Sequence, residues 1–296
     1  MFVQENTLDG IRSYFNRSLS SQFSENEIKL MLKVFVMKRM NLSDTDYLLA
    51  KDLRFSESDL LHFRSCVKRL QANEPFQYIV GSTEFYGLEL LCDKRALIPR
   101  PETEELVDWI VESADRNASM NIIDICSGSG CIAFALKSVL KNAKVEAWEL
   151  SDEALGLIEE NTNFTGLEVH RMKMDALLQN YPAPDDSYEV IVSNPPYIPN
   201  SDRGRMHGNV LDHEPEMALF VEDDDPFIFY LRIAEEAMDL LKVNGCLYFE
   251  IHEDYGEEMI QLLSSCGFVN IELRKDLQGR SRMIRGQRVS SRHEQE

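Results

Sequence analysis

Apolar positions in residues 1–75 recur at helical spacing, as in Ile28, Met31, Leu32, Phe35 and Val36, with no glycine after Gly10 and no proline before Pro75. That pattern predicts a helical bundle. Over residues 76–98 the chain breaks into short apolar pieces, Tyr78-Ile79-Val80 and then Leu88 and Leu90, divided by Gly81 and Gly87, which predicts a linking β-hairpin. Pro99-Arg100-Pro101 punctuates the chain, and residues 102–111 open a helix with acids in its first turn. Beyond Asn121 the order becomes strand 122–126, glycine-rich turn, helix 131–140, strand 145–150, helix 152–161, strands 169–174 and 190–193. A helix over 226–241, a buried strand 246–251, a helix 255–266 and strand material over 268–273 complete it. Such alternation predicts a doubly wound α/β sheet. The expected divisions are a helical domain 1–75, a hairpin 76–98, a catalytic domain 99–290 and a tail 291–296.

Composition agrees with one large core and a smaller companion: 296 residues, 44% hydrophobic and 28% charged. No run approaches the ~18 apolar residues of a membrane span, and the N-terminus lacks the basic and apolar regions of a signal peptide. A soluble, unexported protein without membrane partners is expected. Charge is lopsided. Residues 1–98 carry 13 basic and 13 acidic side chains, which leaves 18 basic against 38 acidic in residues 99–296, so the second part holds the whole net charge of −20. Such a surface is a poor platform for phosphate backbones, and no direct nucleic-acid partner is expected. One exception is the basic cluster Arg274, Lys275, Arg280, Arg282, Arg285, Arg288 and Arg292, either a solvated strand and tail or a docking site.

Cys66, Cys92, Cys126, Cys131, Cys246 and Cys266 form no CxxC pair and have no histidine at ligand spacing, so neither a zinc site nor a thioredoxin-like motif is written here. Reduced thiols and a cytoplasmic location are expected. His207 and His213 flank an acidic loop without a third donor at fixed spacing, and read as loop histidines; no metal is expected.

The chemistry begins at Asp124-Ile125-Cys126-Ser127-Gly128-Ser129-Gly130, a strand end turning into a helix. Glycine permits positive φ and close ligand approach, and free amides at a helix start favour polar or anionic groups. Nineteen residues past Gly130, Glu149 ends the next strand, placed to accept hydrogen bonds from two ribose hydroxyls. Together these read as an adenosine-type cofactor site without choosing NAD or S-adenosylmethionine. Asn194-Pro195-Pro196-Tyr197, directly after strand 190–193, makes that choice. Its prolines remove backbone donors and stiffen the turn, so that a carbonyl and the Asn194 side-chain oxygen become two neighbouring acceptors. Two acceptors match the two N–H donors of a planar NH₂ group and hold its nitrogen for attack on a methyl, with Tyr197 offering a face for the planar group.

Here the chain resembles the Asn-Pro-Pro-Tyr class of S-adenosylmethionine-dependent amino methyltransferases. Within it the chain is similar to the PrmC/HemK family, protein-(glutamine-N5) methyltransferases of peptide chain release factors. The likeness runs through the N-terminal helices, Gln77-Tyr78-Ile79-Val80-Gly81, Phe85-Tyr86-Gly87-Leu88, Leu97-Ile98-Pro99-Arg100-Pro101-Glu102-Thr103-Glu104, Asn194-Pro195-Pro196-Tyr197-Ile198, Glu214-Pro215 and residues 276–282. The Ile-Pro-Arg-Pro-Glu-Thr-Glu segment is the most specific signature. The resemblance implies a Rossmann-like class I methyltransferase domain, doubly wound with a mostly parallel sheet and an antiparallel C-terminal strand, behind a helical domain that grips the release factor. It also implies S-adenosyl-L-methionine as cofactor, S-adenosyl-L-homocysteine as product, and the glutamine of a Gly-Gly-Gln motif as substrate. By position, Cys126, Ser127, Gly128, Ser129 and Gly130 pass under the methionine part and Glu149 holds the ribose. Asp175 and Ala176 meet adenine, and Asn194, Pro195, Pro196 and Tyr197 hold the glutamine. Two departures stand out: Cys126 replaces the family's usual glycine, and Ala176 lacks the aromatic of some relatives. A monomer is expected. The competing enzyme reading, an adenine-N6 or ribosomal-RNA guanine-N2 methyltransferase, shares the tetrapeptide but conflicts with the acidic catalytic part. A non-catalytic interaction protein on a decayed fold conflicts with the intact Glu149 and tetrapeptide.

Overall fold

The computed structural model describes residues 3, 5–50, 52–205 and 208–290. His207, Arg292 and the 291–296 tail lie outside the described residues. The chain divides into two compact units, Met1–Ser82 with His207–His213, and Thr83–Met206 with Glu214–Glu296.

The first unit is helical: α1 (Leu8–Leu19), α2 (Glu25–Met40), α3 (Asp44–Leu49), α4 (Glu57–Gln71) and α5 (Phe76–Val80). Ser24, Ser43 and Ser56 start α2, α3 and α4, each in a reciprocal capping box with the acid three residues on, Glu27, Asp46 and Asp59. Apolar faces converge on a core of Ile11, Phe15, Leu32, Phe35, Phe63 and Val67. Phe15 packs against Phe35 and Phe63 at centroid distances of 6.1 and 6.4 Å.

Residues 76–80, expected to belong to a hairpin, form α5 instead. Phe76, Ile79 and Val80 stand at i, i+3 and i+4 and all join the helical core, a packing that a strand register would divide between two faces. Gly81 then closes the helix at φ +81°. The hairpin proper is β1 (Ser82–Phe85) and β2 (Leu88–Leu91), joined by Tyr86 and Gly87 at φ +51° and +71°, the two positive values of a type I′ turn.

The second unit continues with α6 (Pro101–Ser113), β3 (Asn121–Ile125), α7 (Cys131–Val139), β4 (Lys144–Glu149), α8 (Asp152–Thr165), β5 (His170–Lys173) and β6 (Tyr188–Ser193). Two short strands follow, β7 (Ile198–Pro199) and β8 (Phe220–Val221); the helix between them in sequence, α9 (Gly208–His213), belongs to the first unit. Then come α10 (Ile228–Leu240), β9 (Leu241–Glu250), α11 (Gly256–Ser265), β10 (Val269–Lys275) and β11 (Ser281–Gln287).

Seven strands order as β10-β11-β9-β6-β3-β4-β5, parallel except for β11, which runs antiparallel to both neighbours. Both sheet faces are covered, one core including Trp109, Phe134 and Val192, the other including Ile123, Tyr230 and Phe249. Strand order reverses between β3 and β6, whose last residues Ile125 and Ser193 are register partners. In an open α/β sheet a ligand crevice forms at such a switch point, beyond the carboxyl ends of the strands.

Candidate active site

Two turns leave the sheet side by side at the switch point. The Ser193 hydroxyl donates to the Ile125 carbonyl at 2.6 Å and ties the two strand ends together just before Cys126 and Asn194 begin. After β3 the chain passes through Cys126 at φ +59°, Gly128 at +55° and Gly130 at +77°, three left-handed positions within five residues, and Gly130 caps α7. An added Cβ at Gly128 would meet no protein atom within 4 Å, so the turn presents bare backbone to open space. Cys126 adopts a conformation that glycine takes without strain; it is partly buried against the second core, and burial pushes its thiol well up, which keeps it a neutral thiol. The Asp124 carboxyl, fully buried, accepts the Ala133 N–H at 3.2 Å and is likewise pushed up by burial.

Glu149 ends β4 beside this turn. Its two oxygens accept the Gly128 N–H at 2.8 Å and the Ser151 N–H at 2.9 Å, so one carboxylate fixes both the glycine turn and the start of α8. The Met174 N–H donates to the Glu149 carbonyl at 3.0 Å and brings Asp175 and Ala176 to the same wall. Ala176 is buried, and its carbonyl accepts the Tyr181 hydroxyl at 2.6 Å.

A cavity runs over these elements. Its lining includes Cys126, Ser127, Gly128, Ser129, Glu149, Asp175, Ala176, Asn194 and Pro196, which gathers most of the sequence-predicted residues into one place. Gly130, Pro195 and Tyr197 are not among the lining residues. Asn194 is partly exposed, Pro195 and Pro196 are buried, and among the described residues neither the Asn194 side chain nor the Pro195 carbonyl makes a hydrogen bond, leaving two acceptors free. Tyr197, expected to offer a face, has its ring edge-on to His252 at 6.1 Å and donates its hydroxyl to Glu250 Oε1 at 3.3 Å. Burial and the nearby Glu250 charge hold that phenol well above its ordinary range.

Several lining residues carried no role in the sequence reading. Leu150 and Phe229 add apolar surface to the cavity lining, to which Ala176 supplies no ring. Arg100 is fixed by Glu214 at 2.6 Å, and the same buried carboxylate accepts the Ile98 N–H at 3.0 Å. Thr103 donates to Glu250 Oε2 at 2.6 Å. Only the signature text around Arg100, Thr103 and Glu214 marked these positions, because the pairing of Glu214 with residues more than a hundred positions earlier is a tertiary fact. Five members of the basic cluster are answered internally: Arg274 by Glu112 and Glu272, Arg280 by Glu253, Arg282 by Asp276, Arg285 by Glu272, and Arg288 by Asp186. Among the described residues no group of three or more His, Cys, Asp or Glu could hold a metal, and no helix is long and apolar enough to cross a membrane.

Comparison with known proteins adds an independent observation. The family model described as methyltransferase small domain matches residues 104–212, and that described as PrmC N-terminal domain matches residues 16–81. The release factor glutamine methyltransferase of Flavobacterium psychrophilum is 39% identical over 277 residues, 93% of this chain and 96% of the relative. That of Bacteroides thetaiotaomicron is 37% identical, covering 95% of this chain and 100% of the relative. A methyltransferase structure from Pyrococcus furiosus superposes with a TM-score of 0.53 at 15% identity, over 75% of this chain and 100% of that one, and shares the fold.

Proposed function

The chain belongs to the release factor glutamine methyltransferase family, and from that membership we propose how its own residues move a methyl group from S-adenosylmethionine to a release factor glutamine. The observation that carries the reading is the meeting, at one switch point, of a bare-backbone turn backed by Glu149 and a turn whose Asn194 and Pro195 oxygens are both free. The cofactor fits the donor set: an open glycine turn for its amino-acid part, a carboxylate with unused lone pairs for the ribose, and an apolar wall for adenine.

We assign Cys126, Ser127, Gly128, Ser129 and Gly130 to the methionine part, Glu149 to the ribose, and Asp175 and Ala176, with Leu150 and Phe229 beside them, to adenine. Bound S-adenosylmethionine supplies an electrophilic methyl on a sulfonium. The Asn194 side-chain oxygen and the Pro195 carbonyl accept the two N–H groups of the glutamine amide. An amide nitrogen is a poor nucleophile because its lone pair is delocalised, and two acceptors on its hydrogens return density to it while aligning it with the methyl. Pro196 and Tyr197 stiffen the turn. Once methylated, the nitrogen loses its proton through these oxygens to water, and no dedicated general base is assigned.

The helical unit is assigned to recognition of the folded release factor. That assignment is supported by Leu48 and Leu49, 72% and 75% exposed on α3, and by Leu30, 60% exposed, near Arg12, Lys29 and Lys33. Excess acid in residues 99–296 and the internal pairing of the C-terminal arginines favour a protein substrate over a nucleic acid. Charged residues on the outer strands, Arg171 and Lys173 on β5 and Glu272, Arg274 and Lys275 on β10, favour a monomer, and six free cysteines favour a cytoplasmic location. The test is peptide mass spectrometry on a release factor incubated with this protein and S-adenosylmethionine. One added methyl on the Gly-Gly-Gln peptide supports the reading, and an unmodified peptide in the presence of bound cofactor overturns it.

A further inference from the structure

The tetrapeptide turn is held by a carboxylate that belongs to none of the sequence motifs. Glu250 ends β9, and its neighbour Phe249 is in register with Ser193, so Glu250 stands beside the point where the chain leaves the sheet at Asn194. It is only 3% exposed. One oxygen accepts the Thr103 hydroxyl at 2.6 Å and the other accepts the Tyr197 hydroxyl at 3.3 Å. Thr103, 2% exposed, sits in the first turn of α6 and lines the cavity wall, while Tyr197 closes the Asn194 turn. The other end of that wall is fixed by Glu214 through Ile98 and Arg100. The ring of Tyr197 is held in turn by a row of aromatic contacts through His252 and Tyr255 to Phe227.

A carboxylate is an expensive way to fill a buried site, and an apolar residue of similar size is often at least as stable there. Burial pushes the Glu250 carboxyl up, while the Thr103 hydroxyl, the Arg282 charge and the Tyr197 hydroxyl pull it down. What the carboxylate supplies is two acceptors a fixed distance apart, one engaged by Thr103 of the cavity wall and the other by Tyr197 of the Asn194 turn.

We propose that Glu250 is the positioning residue of the amide-accepting turn: by taking Thr103 on one oxygen and Tyr197 on the other, it sets the spacing between the 98–103 wall and Asn194. Tyr197 then serves as the anchor through which Glu250 acts. The proposal rests on the reading of the Asn194 turn as the glutamine receptor. Because the spacing matters most where the amide nitrogen is aligned for attack, its loss falls on turnover more than on binding.

The test measures single-turnover and steady-state methylation of an intact release factor by the full chain and by Glu250→Gln, Tyr197→Phe, their double variant, Thr103→Val, Thr103→Ser and Asn194→Ala, with the affinity for S-adenosylhomocysteine measured for each. Expected are losses of kcat of about tenfold or more for Glu250→Gln and Tyr197→Phe, with KM and cofactor affinity within about threefold. The double variant should be no slower than the slower single one, since both remove one linkage. Thr103→Val should fall with them and Thr103→Ser, which keeps the hydroxyl, should recover most of the rate. Full kcat in Glu250→Gln, or losses that multiply in the double variant, would overturn the proposal. If Glu250→Gln does not fold, Thr103→Val decides: a folded variant at full rate overturns the proposal, and a loss rescued by serine supports it. Asn194→Ala separates the two levels. Full turnover there defeats the receptor reading itself, whereas a dead Asn194→Ala beside a fully active Glu250→Gln defeats only the positioning role.

Discussion

Removing the Glu149 carboxylate should weaken cofactor binding by an amount the local geometry sets. A carboxylate has about four lone-pair sites. Two are taken by the Gly128 and Ser151 N–H groups at 2.8 and 2.9 Å, which leaves two for ribose hydroxyls on the cavity side. A hydrogen bond to a charged group contributes about 1.5–3 kcal/mol net. Alanine at this position removes the ribose acceptors and releases two backbone donors, but those donors border the cavity and can rehydrate, so the ribose share dominates. Water can take the place of the carboxylate at one of the two hydroxyls on the open cavity side, so Glu149→Ala should cost about one such bond, about 1.5–3 kcal/mol, a loss of about 10- to 150-fold in affinity. Glu149→Gln keeps the length but turns an NH₂ toward a backbone N–H or a hydroxyl, and should recover only part of the loss. Titration calorimetry with S-adenosylhomocysteine reads both, with NAD as a ligand that should give no binding. Unchanged affinity in Glu149→Ala would mean that the ribose is held elsewhere and would refute the argument.

Cys126 occupies a left-handed position at φ +59°. Glycine there should be tolerated, whereas Cys126→Val places a β-branched side chain where it is strongly disfavoured and should lower stability by about 1–3 kcal/mol, read by urea denaturation. Asp276 accepts backbone N–H groups from Gln278 and Arg280 and pairs with Arg282 at 3.1 Å, which holds its carboxyl below the usual range. A depressed folded-state pKa stabilises above the unfolded value of about 3.9 and is lost as pH falls through the folded one. The gap in Tm between the natural chain and Asp276→Asn should thus be widest near neutral pH and close as the solution is acidified into that range; a constant gap would contradict it. Replacing Leu48 and Leu49 by serine should raise KM for intact release factor, by about 5- to 30-fold if one leucine's worth of apolar surface, about 1–2 kcal/mol, is buried there on binding. The same pair of changes should leave the rate on a short Gly-Gly-Gln peptide unaltered.

How much of this was legible in the sequence follows from the range of the forces involved. The sheet and its helices are written in local periodicity and in the turn residues between them, so the alternation after Asn121 is readable without tertiary knowledge. Asn194 directly after β6 and Glu149 at the end of β4 stand out as candidates because the chemistry expected of them needs particular residue types at strand ends. Residues 76–80 misled because five residues, Phe76-Gln77-Tyr78-Ile79-Val80, are too few to show a decisive period; the helical core that receives Phe76, Ile79 and Val80 chose helix. The C-terminal arginines looked like a cluster along the chain, but several of their partners, Glu112 for Arg274, Glu253 for Arg280 and Asp186 for Arg288, lie far away in sequence. Glu250 was invisible for the same reason. It reads as the polar end of a buried strand, and only folding brings Thr103 and Tyr197 to its two oxygens. Tyr197 was expected as a face because aromatic rings commonly serve so, and the structure instead spends its ring on His252 and its hydroxyl on Glu250.

The most direct test of the central claim is fragment-ion mass spectrometry of a release factor treated with S-adenosylmethionine and either the natural chain or Asn194→Ala, each at the same cofactor occupancy. The account predicts one methyl on the side-chain nitrogen of the Gly-Gly-Gln glutamine with the natural chain, and almost none with Asn194→Ala in the same time, although the variant still binds cofactor. A methyl on another residue, or equal methylation by Asn194→Ala, would contradict it.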